Sequence, residues 1–84
     1  MISSGQLKAA RALLGIDQKE LAELSGLSVP TIQRMEGSDG VIRGNVDSLM
    51  KLLEALDRAG VIIIRPGDES AASGGRGVRL KSGS

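Results

Sequence analysis

Chemistry in this chain must come from hydroxyls, amides, guanidiniums, amines and carboxylates, because its 84 residues include no His, Cys, Phe, Trp or Tyr. That composition removes thiolate or imidazole metal ligands, Cys- or His-assisted nucleophilic catalysis, and aromatic platforms for base stacking. The carboxylates fall on helix surfaces and caps, with no pair converging on a pocket. The sequence therefore reads as non-enzymatic, with no cofactor and no metal. Two charges instead require an explanation. Arg11 stands four residues after Leu7 and three before Leu14, on or beside an apolar helix stripe, where a lone charge is costly. Glu36 closes a predicted helix, and the negative end of a helix is unfavourable to an isolated carboxylate. Arg11 has two readings, an ion-pair partner or a phosphate contact.

Capping chemistry marks four helices that must position these groups. Ser3 followed by Gln6 fits a capping box, with Ile2 and Leu7 placed as a hydrophobic staple. That helix runs through Leu7, Ala10 and Leu14 and stops at Gly15. Asp17 and Glu20 repeat the device with Ile16 and Leu21 as the staple, over a short helix ending at Gly26. Ser28 caps a third, with Leu27 and Ile32 as staple, Pro30 in the first turn and Gly37 at the end. Asn45 caps a fourth, whose Val46, Leu49, Met50, Leu53 and Leu56 make a broad apolar stripe, with Arg58 and Gly60 at its C-terminal end. Beyond Gly60 the composition changes. Val61-Ile62-Ile63-Ile64 reads as a β-strand closed by Pro66, Gly67 to Gly77 as a flexible loop, and Val78 to Lys81 as a second strand with one wet face. Ser82 to Ser84 reads as a frayed end.

Length and charge bound the rest. A chain of 84 residues makes one small domain, and 40% hydrophobic residues is a globular composition. Eleven basic and ten acidic side chains give a net charge of +1. Nucleic-acid binding must therefore rest on placement, not on a basic total. No apolar run approaches the length of a membrane span, and the first residues do not form a signal peptide. A cytoplasmic location is compatible with the absence of cysteine.

The most informative spacing is that of Ala22, Gly26 and Ile32 around Ser25-Gly26-Leu27-Ser28. Two helices that cross closely need a small residue at the crossing (Ala22), a turn residue tolerant of positive φ (Gly26), and a branched apolar residue facing back (Ile32). Leu21, Leu27 and Met35 complete the buried side. Any helical hairpin with a glycine turn shares this spacing. The full stretch QKELAELSGLSVPTIQRME, residues 18–36, resembles the helix-turn-helix of the phage repressor and Cro (XRE) family. It matches the family's Gln-x-x-Leu-Ala, Gly-Leu-Ser and Ile-x-x-apolar-Glu pattern without a gap, and the likeness covers about residues 3–60.

The resemblance implies a mainly α fold: a four-to-five-helix repressor-like domain over residues 1–60, here followed by a small C-terminal β-hairpin in residues 61–84. It implies binding of double-stranded DNA by a transcriptional regulator, with a repressor on a palindromic operator as the leading form. Gln18 and Ser28 fall where the family contacts phosphates. Val29, Pro30, Thr31, Gln33 and Arg34 fall where its recognition helix faces the major groove. Val29 and Pro30 replace polar base-reading side chains, which points to apolar contact with a thymine methyl. Arg34 is then the candidate for direct readout of guanine, the alternatives being a phosphate contact or a solvated charge. Arg43, in the loop before the fourth helix, is placed either for a backbone phosphate or in solvent. The family also pairs an arginine of the first helix with a glutamate at the end of the third, here Arg11 with Glu36.

The tail suggests a homodimer. Val61, Ile62, Ile63 and Ile64 present apolar side chains on both strand faces, and pairing with Val78 and Leu80 gives a hairpin that is marginal alone. A second hairpin would extend it to four strands; in the competing arrangement the hairpin folds back on its own core and the fourth helix makes the dimer. Two rival functions remain open. One is an antitoxin carrying the same domain with a tail that wraps a toxin protein; the other is an interaction module that has lost DNA binding. Gly37-Ser38-Asp39-Gly40 superficially fits an RNA-binding GxxG loop, but the sequence lacks the sheet such a domain needs. Gly74-Gly75-Arg76-Gly77 lacks the strand-then-helix context of a phosphate loop.

Overall fold

A computed structural model describes residues 2–65 and 76–81. Four helices precede a two-stranded hairpin: α1 (Ser4–Leu14), α2 (Gln18–Ser25), α3 (Val29–Glu36), α4 (Val46–Ala59), β1 (Val61–Ile64) and β2 (Gly77–Leu80). The fold is mainly helical, as the residue pattern requires. Each helix starts where a short polar side chain can satisfy an orphan backbone N–H. Ser3 accepts from the Gln6 N–H and Asp17 from the Glu20 N–H, each with the reciprocal bond of a capping box. Ser28 and Asn45 accept from the N–H groups of Thr31 and Ser48.

The helix stops are less uniform. Gly26 ends α2 at φ 74, and its N–H and that of Leu27 both return to the Ala22 carbonyl. A side chain there would be strained, which is why glycine turns the chain from α2 into α3. Gly37, by contrast, ends α3 in a right-handed conformation at φ −86.

The core joins Leu7 and Ala10 of α1, Leu21 and Ala22 of α2, Ile32 and Met35 of α3, and Leu49, Leu52 and Leu56 of α4. Ile2 and Ile42, outside the helices, are equally buried. The two segments are tied by Ser4 N–H to the Gly40 carbonyl at 2.8 Å and Ile42 N–H to the Ile2 carbonyl at 3.1 Å. In α4 the apolar stripe is wider than the core that receives it. Leu52 and Ala55, outside the stripe read from the sequence, are buried, whereas Val46 and Met50, inside it, are exposed by 76% and 50%.

The hairpin folds back on its own helical core, with Val61 inside it and Ile63 and Val78 packed against it. Its antiparallel register pairs Val61 with Leu80, Ile62 with Arg79, Ile63 with Val78 and Ile64 with Gly77. Gly77, read from composition as loop, therefore opens β2. Composition registers the glycine but not the pairing with Ile64 that orders it. Gln6 then clamps the Ile64–Gly77 end of the hairpin, where the chain passes from one strand to the other: its amide nitrogen donates to the Ile64 carbonyl at 2.8 Å and the Gly77 carbonyl at 3.0 Å. The expected strand stop at Pro66, the loop residues 67–75 and the frayed end 82–84 lie outside the described residues.

Candidate nucleic-acid interface

The outward side of α3 is set by what the helix buries. Ile32, Met35 and Glu36 face inward. At 100° per residue, Pro30 and Arg34 then occupy the opposite side, flanked by Gln33 and Thr31. Pro30, Gln33 and Arg34 are exposed and Thr31 is half-buried. The Arg34 guanidinium and the Gln33 amide have no partner among the described residues, so their donors and acceptors are available to a ligand.

Val29 sits differently. It is half-buried and packed against the core beside Leu27. It anchors the first turn of α3 as well as bordering the outer face, because its position lies on the edge of the inward stripe. At the same helix start, the Ser28 hydroxyl accepts from the Thr31 N–H at 3.3 Å and lies 2.9 Å from the Thr31 hydroxyl. Pro30, in the first turn of α3, has no N–H to offer.

Beneath this face, three helix ends converge on one carboxylate. Arg11, in the last turn of α1, directs its guanidinium at Glu36, with Nε 2.8 Å from Oε2 and Nη2 3.0 Å from Oε1. Gln18, the first residue of α2, donates its side-chain amide to Glu36 Oε1 at 3.1 Å. Arg11 Nη1 also reaches the Ile16 carbonyl at 3.3 Å, in the turn between α1 and α2. Glu36 is 6% exposed and Arg11 25%. Burial alone would push the Glu36 carboxyl up, but the hydrogen bonds from Arg11 and Gln18 and the Arg11 charge outweigh it and hold the group below the usual carboxylate range. The Arg11 hydrogen bond to Glu36 in turn raises the guanidinium further. This cluster fixes α2 and α3 relative to α1. It also engages the amide nitrogen of Gln18 at the start of α2.

Arg43 is exposed on the segment before α4, with no partner among the described residues, and Asn45 caps that helix without adding charge. The structure thus gathers Pro30, Thr31, Gln33 and Arg34 on one face of α3. Gln18 lies at the start of α2 beside the Glu36 cluster, and Arg43 lies on a separate segment. Sequence reasoning did not register Gln6, whose capping role was visible but whose amide donors act on residues 64 and 77. No spacing signal reports such a contact. Among the described residues, no group of His, Cys, Asp or Glu could hold a metal ion, and no helix is long and apolar enough to cross a membrane.

Comparison with known families agrees with this geometry: the family model described as helix-turn-helix matches residues 7–60, well over half of the chain. No curated protein matches the sequence.

Proposed function

The chain belongs to the helix-turn-helix family of DNA-binding transcription regulators, and we propose from that premise that it is a sequence-specific repressor occupying a palindromic operator as a dimer. The observation that supports this reading is the outer face of α3. A guanidinium and an amide stand there without intramolecular partners, on a helix held rigid by the Glu36 cluster and the core. Arg34 carries a planar fork that matches guanine O6 and N7, and Gln33 beside it offers a paired donor and acceptor. Pro30 and the exposed edge of Val29 present apolar surface suited to a thymine methyl. Ser28, Thr31, Gln18 and Arg43 would fix the register through the phosphate backbone. In this division, residues 1–60 bind DNA and residues 61–84 contribute to dimerisation, and the regulator acts by blocking access to the operator.

The test begins with selection of bound sequences from a random duplex pool, followed by a salt titration. Selected duplexes with two-fold symmetry and a steep fall of affinity with salt are expected, since each phosphate contact releases counterions. Arg34→Ala should then lose about 1–3 kcal/mol on the selected site and little on random DNA, with an unchanged melting temperature. Equal weakening on both DNAs would reassign Arg34 to phosphate. Failure to enrich any sequence, with salt-insensitive binding, would overturn the reading.

A further inference from the structure

We propose that Asp39-Gly40 is a self-modification site, where the Asp39 carboxyl cyclises onto the Gly40 backbone nitrogen and reopens as isoaspartate. It is the one Asp-Gly or Asn-Gly pair in the chain, in the loop between α3 and α4, and both residues are exposed. Among the described residues, Asp39 makes no hydrogen bond or ion pair, and the Gly40 N–H has no backbone acceptor. Glycine is held here by the backbone, because φ is +82, a conformation that other residues disfavour. A residue without Cβ also gives its nitrogen the least steric shielding. The other described Asp and Asn side chains are engaged elsewhere. Asp17 and Asn45 accept from the Glu20 and Ser48 N–H groups at 2.8 and 2.7 Å as helix caps. Asp47 and Asp57 lie inside α4 and pair with Lys51 and Lys81 at 3.2 and 2.9 Å.

The step balances with no reagent besides water. The Gly40 nitrogen bonds to Asp39 Cγ, the carboxyl hydroxyl and the amide hydrogen leave together as water, and a succinimide ring remains. Hydrolysis returns the water at either ring carbonyl. Opening at Cγ restores aspartate. Opening at the Asp39 main-chain carbonyl leaves Gly40 bonded through Cβ, so the main chain gains a methylene. The loop cannot absorb that extra length freely. On its near side the Gly37 N–H returns to the Gln33 carbonyl at 2.9 Å. On its far side the Ser4 N–H donates to the Gly40 carbonyl at 2.8 Å and the Ile42 N–H to the Ile2 carbonyl at 3.1 Å, with Ile42 buried. Isomerisation therefore acts first on the Ser4–Gly40 bond. Arg43, exposed just beyond Ile42, shifts with it, and on the DNA reading above a phosphate contact is lost.

The test incubates the full-length protein at neutral pH and physiological temperature in water enriched in the heavy oxygen isotope, then digests it with trypsin in ordinary water. Cleavage after Arg34 and Arg43 releases residues 35–43, in which Asp39 is the only Asp or Asn, while Asp17, Asp57 and the Asn45 and Asp47 pair fall in other fragments. The 35–43 fragment should gain heavy oxygen faster than those others and split chromatographically into two species of equal mass. Asp39→Glu changes an exposed side chain without partners, keeps the fold, and should abolish the uptake because its ring would be larger. The separated isomer should exchange the Ser4 amide hydrogen faster than the unmodified chain. Its binding to a selected duplex should show a salt slope smaller by about one, the loss of one phosphate contact. Three results would each overturn the proposal: no heavy oxygen in the 35–43 fragment, equal uptake in another of these fragments, or uptake that persists in Asp39→Glu. An unchanged salt slope would overturn the link to Arg43. A chain that binds no duplex would count against DNA recognition, and the isotope result would stand apart from it.

Discussion

Replacing Arg11 by Met tests the central cluster most directly. Methionine preserves the apolar stem along α1 and removes three donors: two to Glu36 at 2.8 and 3.0 Å and one to the Ile16 carbonyl at 3.3 Å. Glu36, 6% exposed, then keeps only the Gln18 amide at 3.1 Å. Breaking a fully buried pair costs about 3–5 kcal/mol. Arg11 is 25% exposed, so water screens part of the interaction and about 2–3 kcal/mol is expected. For a domain of this size that corresponds to a fall in Tm on the order of 10–20 °C. Urea denaturation followed by circular dichroism, in a cycle with Glu36→Gln, should give a coupling energy above about 1 kcal/mol.

The pH dependence gives an independent reading of the same charge. In the unmodified chain the folded Glu36 carboxyl is held below its usual range. Its contribution is complete above the unfolded carboxylate pKa of about 4.3 and is lost as pH falls through the lower folded value. Without Arg11, burial is left largely unopposed and the folded pKa rises, so the variant gains relative stability as the carboxyl takes up a proton. The stability gap between the two proteins should therefore narrow between neutral pH and about pH 4. A gap that stays constant over this range, or a coupling energy below about 0.3 kcal/mol, would refute the argument.

Two further outcomes follow from particular contacts. Gln6→Leu removes the two amide bonds that reach the Ile64 and Gly77 carbonyls; at about 0.5–1.5 kcal/mol per bond, a loss of about 1–3 kcal/mol is expected, and hydrogen exchange should show β1 and β2 amides opening before those of α2 and α3. Gly26→Ala meets no heavy atom within 4 Å, yet Gly26 has φ +74, so a loss of about 1–2 kcal/mol from backbone strain alone is expected; an unchanged melting temperature would show that the turn relaxes.

The helices of this protein are legible in its sequence because the interactions that start them span three residues. Ser3 with Gln6, Asp17 with Glu20, Ser28 with Thr31 and Asn45 with Ser48 are local bonds, and the residue types alone announce them. The α2–α3 spacing is legible for a similar reason: Ala22, Gly26 and Ile32 each answer a steric demand of one close crossing. The candidate interface is only partly so. Exposure of Pro30, Gln33 and Arg34 follows from helical periodicity, but Val29 lies at the boundary of the inward stripe, and packing decided that it joins the core. Packing likewise decided that α4 buries Leu52, outside the stripe read from the sequence, and leaves Val46 and Met50 in solvent, since apolar residue types on neighbouring faces of a helix do not say which face meets the core. The longest-range assignments were beyond any local pattern. Gln6 meets carbonyls 58 and 71 residues away, and Gly77 becomes strand because Ile64 lies opposite it. Such contacts exist only when tertiary folding brings the groups within hydrogen-bonding distance.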